Sequence, residues 1–219
     1  MKIEGPQSRQ PIPPQAKRVF KGVIFDVYQW EQKLYNGKTA IFEKLKRPDT
    51  AIVIPVLPDG TIVIADQEQP DKAPFIGLLG GRVNEEEPLE AAKRELQEES
   101  GYESDDWSVF SAVQPISKID WTIYTFIARN CKKTGDQNLD GGEKVTLRTV
   151  SLDELMEMFI EAKLHDHDLK MKFLKARLDS QKMIKIKKIV LGEACLASFN
   201  VFSKTLTRST LLSSIEDMA

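Results

Sequence analysis

Residues 80–102, GGRVNEEEPLEAAKRELQEESGY, constrain this chain more than any other stretch. They hold seven glutamates, and Pro88–Ser100 contains neither glycine nor a β-branched residue, so its composition favours helix. Pro88 suits a first helical turn, and Gly101 stands just past the last. On such a helix residues three and four apart share a face, which brings the carboxylates of Glu95, Glu98 and Glu99 together. Like charges this close repel unless a cation or an arginine sits among them. Oxygen ligands on one helix face, with room for water and phosphate, suit Mg²⁺ or Mn²⁺. Leu89, Ala92 and Leu96 form the face available for packing, so the helix is expected to bury its apolar side and turn its acids outward.

The other segments frame this one. Residues 1–18 carry four prolines and read as an extended or mobile arm. Residues 19–47 read as a small antiparallel β unit, because Val19–Trp30 is rich in β-branched and aromatic residues and Asn36-Gly37 signals a hairpin into Thr39–Lys46. Thr50–Leu57 is an apolar run suited to a strand buried on both faces. Pro58-Asp59-Gly60 should turn it into a hairpin with Thr61–Ala65, and Asp66–Ala73 reads as a polar loop. Beyond the acidic helix, strands are expected at Trp107–Val113, Trp121–Ala128 and Lys144–Val150. Ser151 to Glu154 forms a capping box ahead of a helix with Leu152, Leu155, Met156 and Phe159 on its apolar face. A further helix is expected from Asp168 to about Leu178, while Met183–Leu191 suits either helix or strand. Domains are thus expected at 1–18, 19–47, 48–180 and 181–219, the last a helix and tail.

Composition narrows the function. With 31 Lys+Arg against 33 Asp+Glu, no bulk electrostatic attraction to nucleic acid is indicated. The N-terminus has no apolar leader core, and no run approaches the roughly 20 apolar residues of a membrane span, so a cytosolic protein is expected. Cys131 and Cys195 lack metal-ligand spacing and read as reduced buried thiols, and His165 and His167, flanking Asp166, as a solvated loop.

The spacing of the acidic stretch carries a sharper reading. Gly80, Glu86, Arg94-Glu95-Leu96, Glu98-Glu99 and Gly101-Tyr102 resemble the Nudix box at its fixed positions. The resemblance implies a Nudix-type α/β/α sandwich with a mixed sheet, an α+β fold, here preceded by the small antiparallel β unit. It further implies a pyrophosphohydrolase that uses Mg²⁺ or Mn²⁺ on a nucleoside diphosphate linked to another moiety. Glu95 and Glu99, with Glu98 beside them, are then expected to bind metal, together with a backbone carbonyl of Leu79 or Gly80. Arg94 is expected to orient a box glutamate, with Glu86 its partner or close by.

The arm and hairpins resemble the ADP-ribose pyrophosphatase branch, which implies a homodimer and a small nucleotide-sugar substrate. Asp120, in the Pro115–Asp120 loop, stands where that branch places a catalytic acid, although the loop lacks the usual glycine. The general base is left open among Asp120, a box glutamate such as Glu98, and Glu143. Gln69 stands where the branch often has a phosphate-binding arginine, and Arg82 is an alternative phosphate contact. Trp30 and Trp121 are the aromatics expected to stack a base. Alternatives are a nucleoside triphosphate pyrophosphohydrolase and a non-catalytic nucleotide-sensing module.

Overall fold

The computed structural model describes residues 3, 5–139, 141–142 and 144–193. Glu143, Cys195 and the tail expected after Gly192 from residue 194 onward lie outside them. In chain order the strands are β1 (Lys17–Lys21), β2 (Asp26–Lys33), β3 (Thr39–Lys46), β4 (Thr50–Pro55), β5 (Ile62–Gln69), β6 (Lys72–Gly77) and β7 (Leu79–Arg82). After helix α1 (Pro88–Ser100) come β8 (Tyr102–Glu103), β9 (Asp106–Val113), β10 (Ile119–Asp120), β11 (Ile123–Arg129), β12 (Lys132–Lys133) and β13 (Lys144–Val150). Helices α2 (Leu152–Ile160), α3 (His167–Arg177) and α4 (180–193) complete the described chain.

The middle layer is built by two sheets. One is mixed, in the order β7-β4-β11-β9, with β4 and β11 parallel and the outer pairs antiparallel. The other is antiparallel, β13-β5-β6. Alternation along the strands sorts their side chains into two cores. Ala51, Val53, Val63, Ala65 and Phe126 pack with Ala91, Ala92 and Leu96 of α1. Ile54, Ile62, Ile64 and Ile127 pack with Leu155, Phe159, Leu169 and Phe173 of α2 and α3. The result is the α/β/α sandwich, buried on both faces of its central strands as the apolar runs require.

The antiparallel unit β1-β2-β3 forms a separate sheet, but it is not detached. The two-residue β10 joins it in parallel beside β3, with Ile119 opposite Leu45 and Asp120 opposite Lys46. Within the arm, Ser8 Oγ and the Gln10 carbonyl accept hydrogen bonds from Lys44 Nζ.

Two local expectations need correction. The Pro58-Asp59-Gly60 turn forms, with Gly60 N–H donating to Leu57 O and Thr61 to Asp59 Oδ1, but β4 and β5 share only the bridge Val56–Ile62. Both edges of β4 are taken by β7 and β11, and both edges of β5 by β13 and β6, so no hairpin ladder is left to form. The polar stretch from Asp66 is likewise no loop. β5 runs on to Gln69 and returns as β6 through Asp71, whose φ is +58°. Its polar residues are satisfied across the sheet, where Arg148 bonds Asp66 at 2.9 Å and Lys144 bonds Glu68 at 2.7 Å.

The helix boundaries follow their signals. α1 starts at Pro88 and ends at Gly101, in the left-handed region with φ +65°. Ser151 and Glu154 form the reciprocal capping box of α2. Asp166 caps α3 through Leu169 N–H, so the segment bearing His165 and His167 serves as a helix start. For Met183–Leu191 the outcome is helix: Asp179 accepts from the Gln181 and Lys182 N–H groups, and Ile186 and Val190 enter the α2–α3 core. Burial pushes the Cys131 thiol up to about 11, consistent with an unreactive core residue.

Candidate functional site

The acidic wall begins with two glycines that allow β7 to run against α1. Gly80 has φ +149°, and a Cβ there would lie 2.2 Å from the Ala51 carbonyl oxygen. Its N–H donates to Glu99 Oε2 at 2.7 Å. At Gly81 a Cβ would lie 2.2 Å from Glu95 Oε1, so a side chain there would displace that carboxylate from its position. Glu99 is therefore buried, at 8% exposure, which corrects the expectation that all the acids face outward. The cost of burying it is offset by the Gly80 hydrogen bond.

Arg94 supplies the positive charge among the acids. Its Nε and Nη2 both donate to Glu86 Oε1, at 3.1 and 2.8 Å. Nη1 donates to Glu95 Oε1 at 2.8 Å and to Glu98 Oε2 at 2.9 Å, and Nη2 also reaches the Arg82 carbonyl at 3.1 Å. Burial by itself would lower the Arg94 pKa, but the bonds to Glu86, Glu95 and Glu98 outweigh it and hold the guanidinium above its ordinary value. Glu86 is thus the arginine's partner, and a single fork orients three carboxylates.

The loop after β12 closes the lower end of this wall. Lys133 Nζ donates to Ser100 O, Gln137 Nε2 to Glu99 O and Asn138 N–H to Glu98 O, satisfying the last carbonyls of α1. Asn138 and Leu139 thereby join Gly80, Arg82, Asn84, Arg94, Glu95, Glu98 and Glu99 around a cleft of about 340 Å³. A larger cleft, about 700 Å³, lies on the other flank of α1 beside Trp107 and Arg129. It shares Arg94 with the smaller cleft and takes in Glu86, but none of Glu95, Glu98 and Glu99, so the acidic cluster belongs to the smaller one.

The donor set of the small cleft is all oxygen, which fits a hard divalent cation. Among the described residues no three His, Cys, Asp or Glu side chains are gathered closely enough to close on an ion. Arg94 and the Gly80 N–H hold the carboxylates in their place.

Of the other expected site residues, Arg82 lines this cleft, while Leu79, Gln69, Asp120, Trp121 and Trp30 lie outside its lining. Leu79 is fully buried opposite Val53, leaving only its backbone for ligation. Arg82 is exposed on the cleft rim. Trp121 lies at the same sheet end: its indole N–H donates to Thr50 Oγ1, Thr50 pairs with Arg82, and Arg47 stacks over the ring at 4.4 Å. Burial and then Arg82 lower the Arg47 pKa. Asp120 is next to Trp121, with Oδ1 3.7 Å from Lys44 Nζ. Gln69 lies at the end of β5, where Lys72 reaches it at 3.5 Å, and does not line the cleft. Trp30 is 6% exposed, packed beside Phe42 with its N–H on Gln32, so its face is covered in this chain.

Sequence reasoning missed Arg47, Asp49, Asn84 and Asn138. Asp49 Oδ1 accepts from Thr122 N–H at 2.7 Å and its carbonyl accepts from Val83 N–H at 2.8 Å. Burial raises its pKa, Thr122 lowers it, and Asp120 raises it again. No local pattern announces such a residue, because both of its partners are distant in sequence.

A glycine-led, arginine-bonded acidic helix on an α/β/α sandwich defines a Nudix-type hydrolase. The comparisons agree: residues 46–173, more than half of the chain, match the NUDIX domain, and the chain belongs to the Nudix hydrolase family. It is 28% identical over 156 residues to the methanol dehydrogenase activator of Bacillus methanolicus, covering 69% of this chain and 84% of that one. It is 26% identical over 154 residues to the ADP-ribose pyrophosphatase of Bacillus subtilis (strain 168), covering 68% and 83%. The crystal structure of an ADP compounds hydrolase superposes with a TM-score of 0.61 at 17% identity, over 81% of this chain and 98% of that one, which supports the fold.

Proposed function

We propose that the protein is a Mg²⁺- or Mn²⁺-dependent pyrophosphohydrolase that cleaves a nucleoside diphosphate linked to another moiety, with ADP-ribose or another nucleotide sugar the favoured substrate. The observation that carries this reading is that Glu95, Glu98 and Glu99 line one small cleft together with Gly80 and Arg82. The similarity to an ADP-ribose pyrophosphatase favours the nucleotide sugar. Glu95, Glu98 and Glu99, with a carbonyl of Leu79 or Gly80, would hold the metal. Such an ion neutralises pyrophosphate oxygens and lowers the pKa of bound water.

The chain's own groups do the rest. Arg94 orients the box carboxylates, and Arg82 offers the substrate phosphates a cationic contact. We assign removal of the proton from the attacking water to Glu98, whose side chain is 40% exposed; Asp120, engaged by Lys44, is the other described candidate. Trp121 offers a ring near the cleft for the base.

A product assay over a nucleotide panel with Mg²⁺ tests this reading. AMP and ribose 5-phosphate should appear from ADP-ribose. Pyrophosphate release from nucleoside triphosphates in preference would overturn it, and binding without turnover would indicate a sensing module. No helix among the described residues is long and apolar enough to cross a membrane, and the proposed setting is the cytosol. A homodimer is part of the proposal, supported by Val19, Phe20 and Ile41, which are 52, 58 and 62% exposed on the first sheet. A monomer mass by light scattering would contradict it.

A further inference from the structure

Lys44 is 1% exposed, an unusual place for an ammonium, and its partners come from two separate segments. Nζ donates to Ser8 Oγ at 3.0 Å and to the Gln10 carbonyl at 2.7 Å, both in the N-terminal arm. It also lies 3.7 Å from Asp120 Oδ1, in the segment between β9 and β11. A buried ammonium deprived of such partners is strongly unfavourable, so the contacts together hold the charge in place.

Each segment leads onward. The arm is fastened twice more before Ser8: Ile3 packs on the α1 core, and Gly5 passes so near Tyr124 that a Cβ would lie 2.6 Å from its phenol oxygen. On the other side, Leu45 N–H donates to Lys118 O and Arg47 N–H to Asp120 O, tying the segment to β3. Thr122, two residues past Asp120, donates to Asp49, whose carbonyl holds Val83 beside the cleft residue Arg82. A continuous set of bonds thus runs from the arm through Lys44 to the cleft rim.

We propose that Lys44 is a positioning residue that clamps the N-terminal arm to the Asp120 segment, so that the arm acts as a strap fixing Trp121 and Thr122, which bond Thr50 and Asp49 beside the cleft residue Arg82. Lys44 does not touch the substrate in this role. The kinetic side of the proposal rests on the pyrophosphohydrolase reading, while its structural side does not.

The test compares the full-length protein with Lys44→Met, Lys44→Arg and Ser8→Ala. Amide hydrogen exchange in Lys44→Met should accelerate about tenfold, the worth of a charged hydrogen bond, in residues 5–10 and 116–122 together, with α1 unchanged. With ADP-ribose and Mg²⁺, KM should rise about tenfold while kcat stays within about twofold, because a binding rim is loosened and the acids are not. Lys44→Arg should recover part of both effects. Exchange that accelerates in the arm alone, or in neither segment, would overturn the clamp, as would a fall in kcat at unchanged KM. If Lys44→Met does not fold, Ser8→Ala carries the same comparison, with faster exchange in both segments expected and a response limited to the arm overturning the clamp. An unmodified protein without hydrolytic activity would sink the pyrophosphohydrolase reading, and the exchange comparison would still decide the clamp.

Discussion

The acidic wall of the cleft takes Glu86, Arg94, Glu95, Glu98 and Glu99 from one short stretch, and Arg94 bonds three of the four glutamates. The flanking rim, outside the cleft lining itself, takes Lys44 and Asp120 from β3 and β10 and Asp49 and Thr122 from two connections, and its bonds run between segments far apart in sequence. The wall is held by helix geometry, which places i and i+4 carboxylates together wherever the helix forms. The rim is held by tertiary pairing, β3 to β10 and Asp49 to Thr122, and exists only once the two sheets have met. Under the proposed function, the groups that must be exact in orientation thus sit on the rigid local element, and their flanking support on the assembled one.

Four substitutions probe this contrast. The largest effect is expected on the wall, where Glu99→Gln should lower turnover by about 100-fold or more while circular dichroism stays native. Near-normal activity would remove Glu99 from the metal site. Gly80→Ala should destabilise by about 2 kcal/mol or more in urea unfolding, because its Cβ would meet the Ala51 carbonyl and its φ is +149°. Next, Arg94→Met should cost about 1 kcal/mol at low salt, since the fork is 30% exposed and partly screened. Added Mg²⁺ should return part of that loss if the freed carboxylates bind it, as thermal unfolding with and without the ion would reveal.

The smallest effect belongs to the rim. Asp49 has a raised pKa in the folded chain, so the native state holds its proton more tightly than the unfolded state does. Its contribution to stability is full below the unfolded value of about 3.9 and is lost as pH rises through the folded value. Asp49→Asn, which keeps an oxygen for Thr122 N–H, should therefore gain relative to the parent as pH increases, by about 0.5 kcal/mol at neutral pH. Urea unfolding at pH 3.5, 5 and 7 checks the sign, and a gain at acid pH alone would reverse it.

The same contrast explains what could be read in advance. Gly101, Ser151 and Glu154 mark their helices through bonds to near neighbours and Pro88 through its fixed φ, and all four stand where those rules put them. The glycine spacing likewise located the wall, since Gly80 and Gly81 act against residues of the same stretch and its partner strand. The failed hairpin at Pro58-Asp59-Gly60 had a correct turn, but the fate of β4 was decided by β7 and β11. Polarity from Asp66 to Gln69 suggested a loop because the matching charges, Lys144 and Arg148, lie in β13. Lys44 offered even less: in an alternating strand it looks like any solvent-facing lysine until the arm covers it.

The parallel pairing of β4 with β11 also has a consequence for how the chain is made. Residues 50–55 leave the ribosome well before residues 123–129, and until the latter emerge β4 has β7 as its only lasting neighbour. Its other edge, apolar and unpaired, is then a sticky surface on a nascent chain. Closing it requires a long loop, and the entropy of that closure should slow this pairing. Truncated products ending ahead of Arg129 should accumulate as aggregates or chaperone clients, although such a fragment already contains the complete acidic stretch.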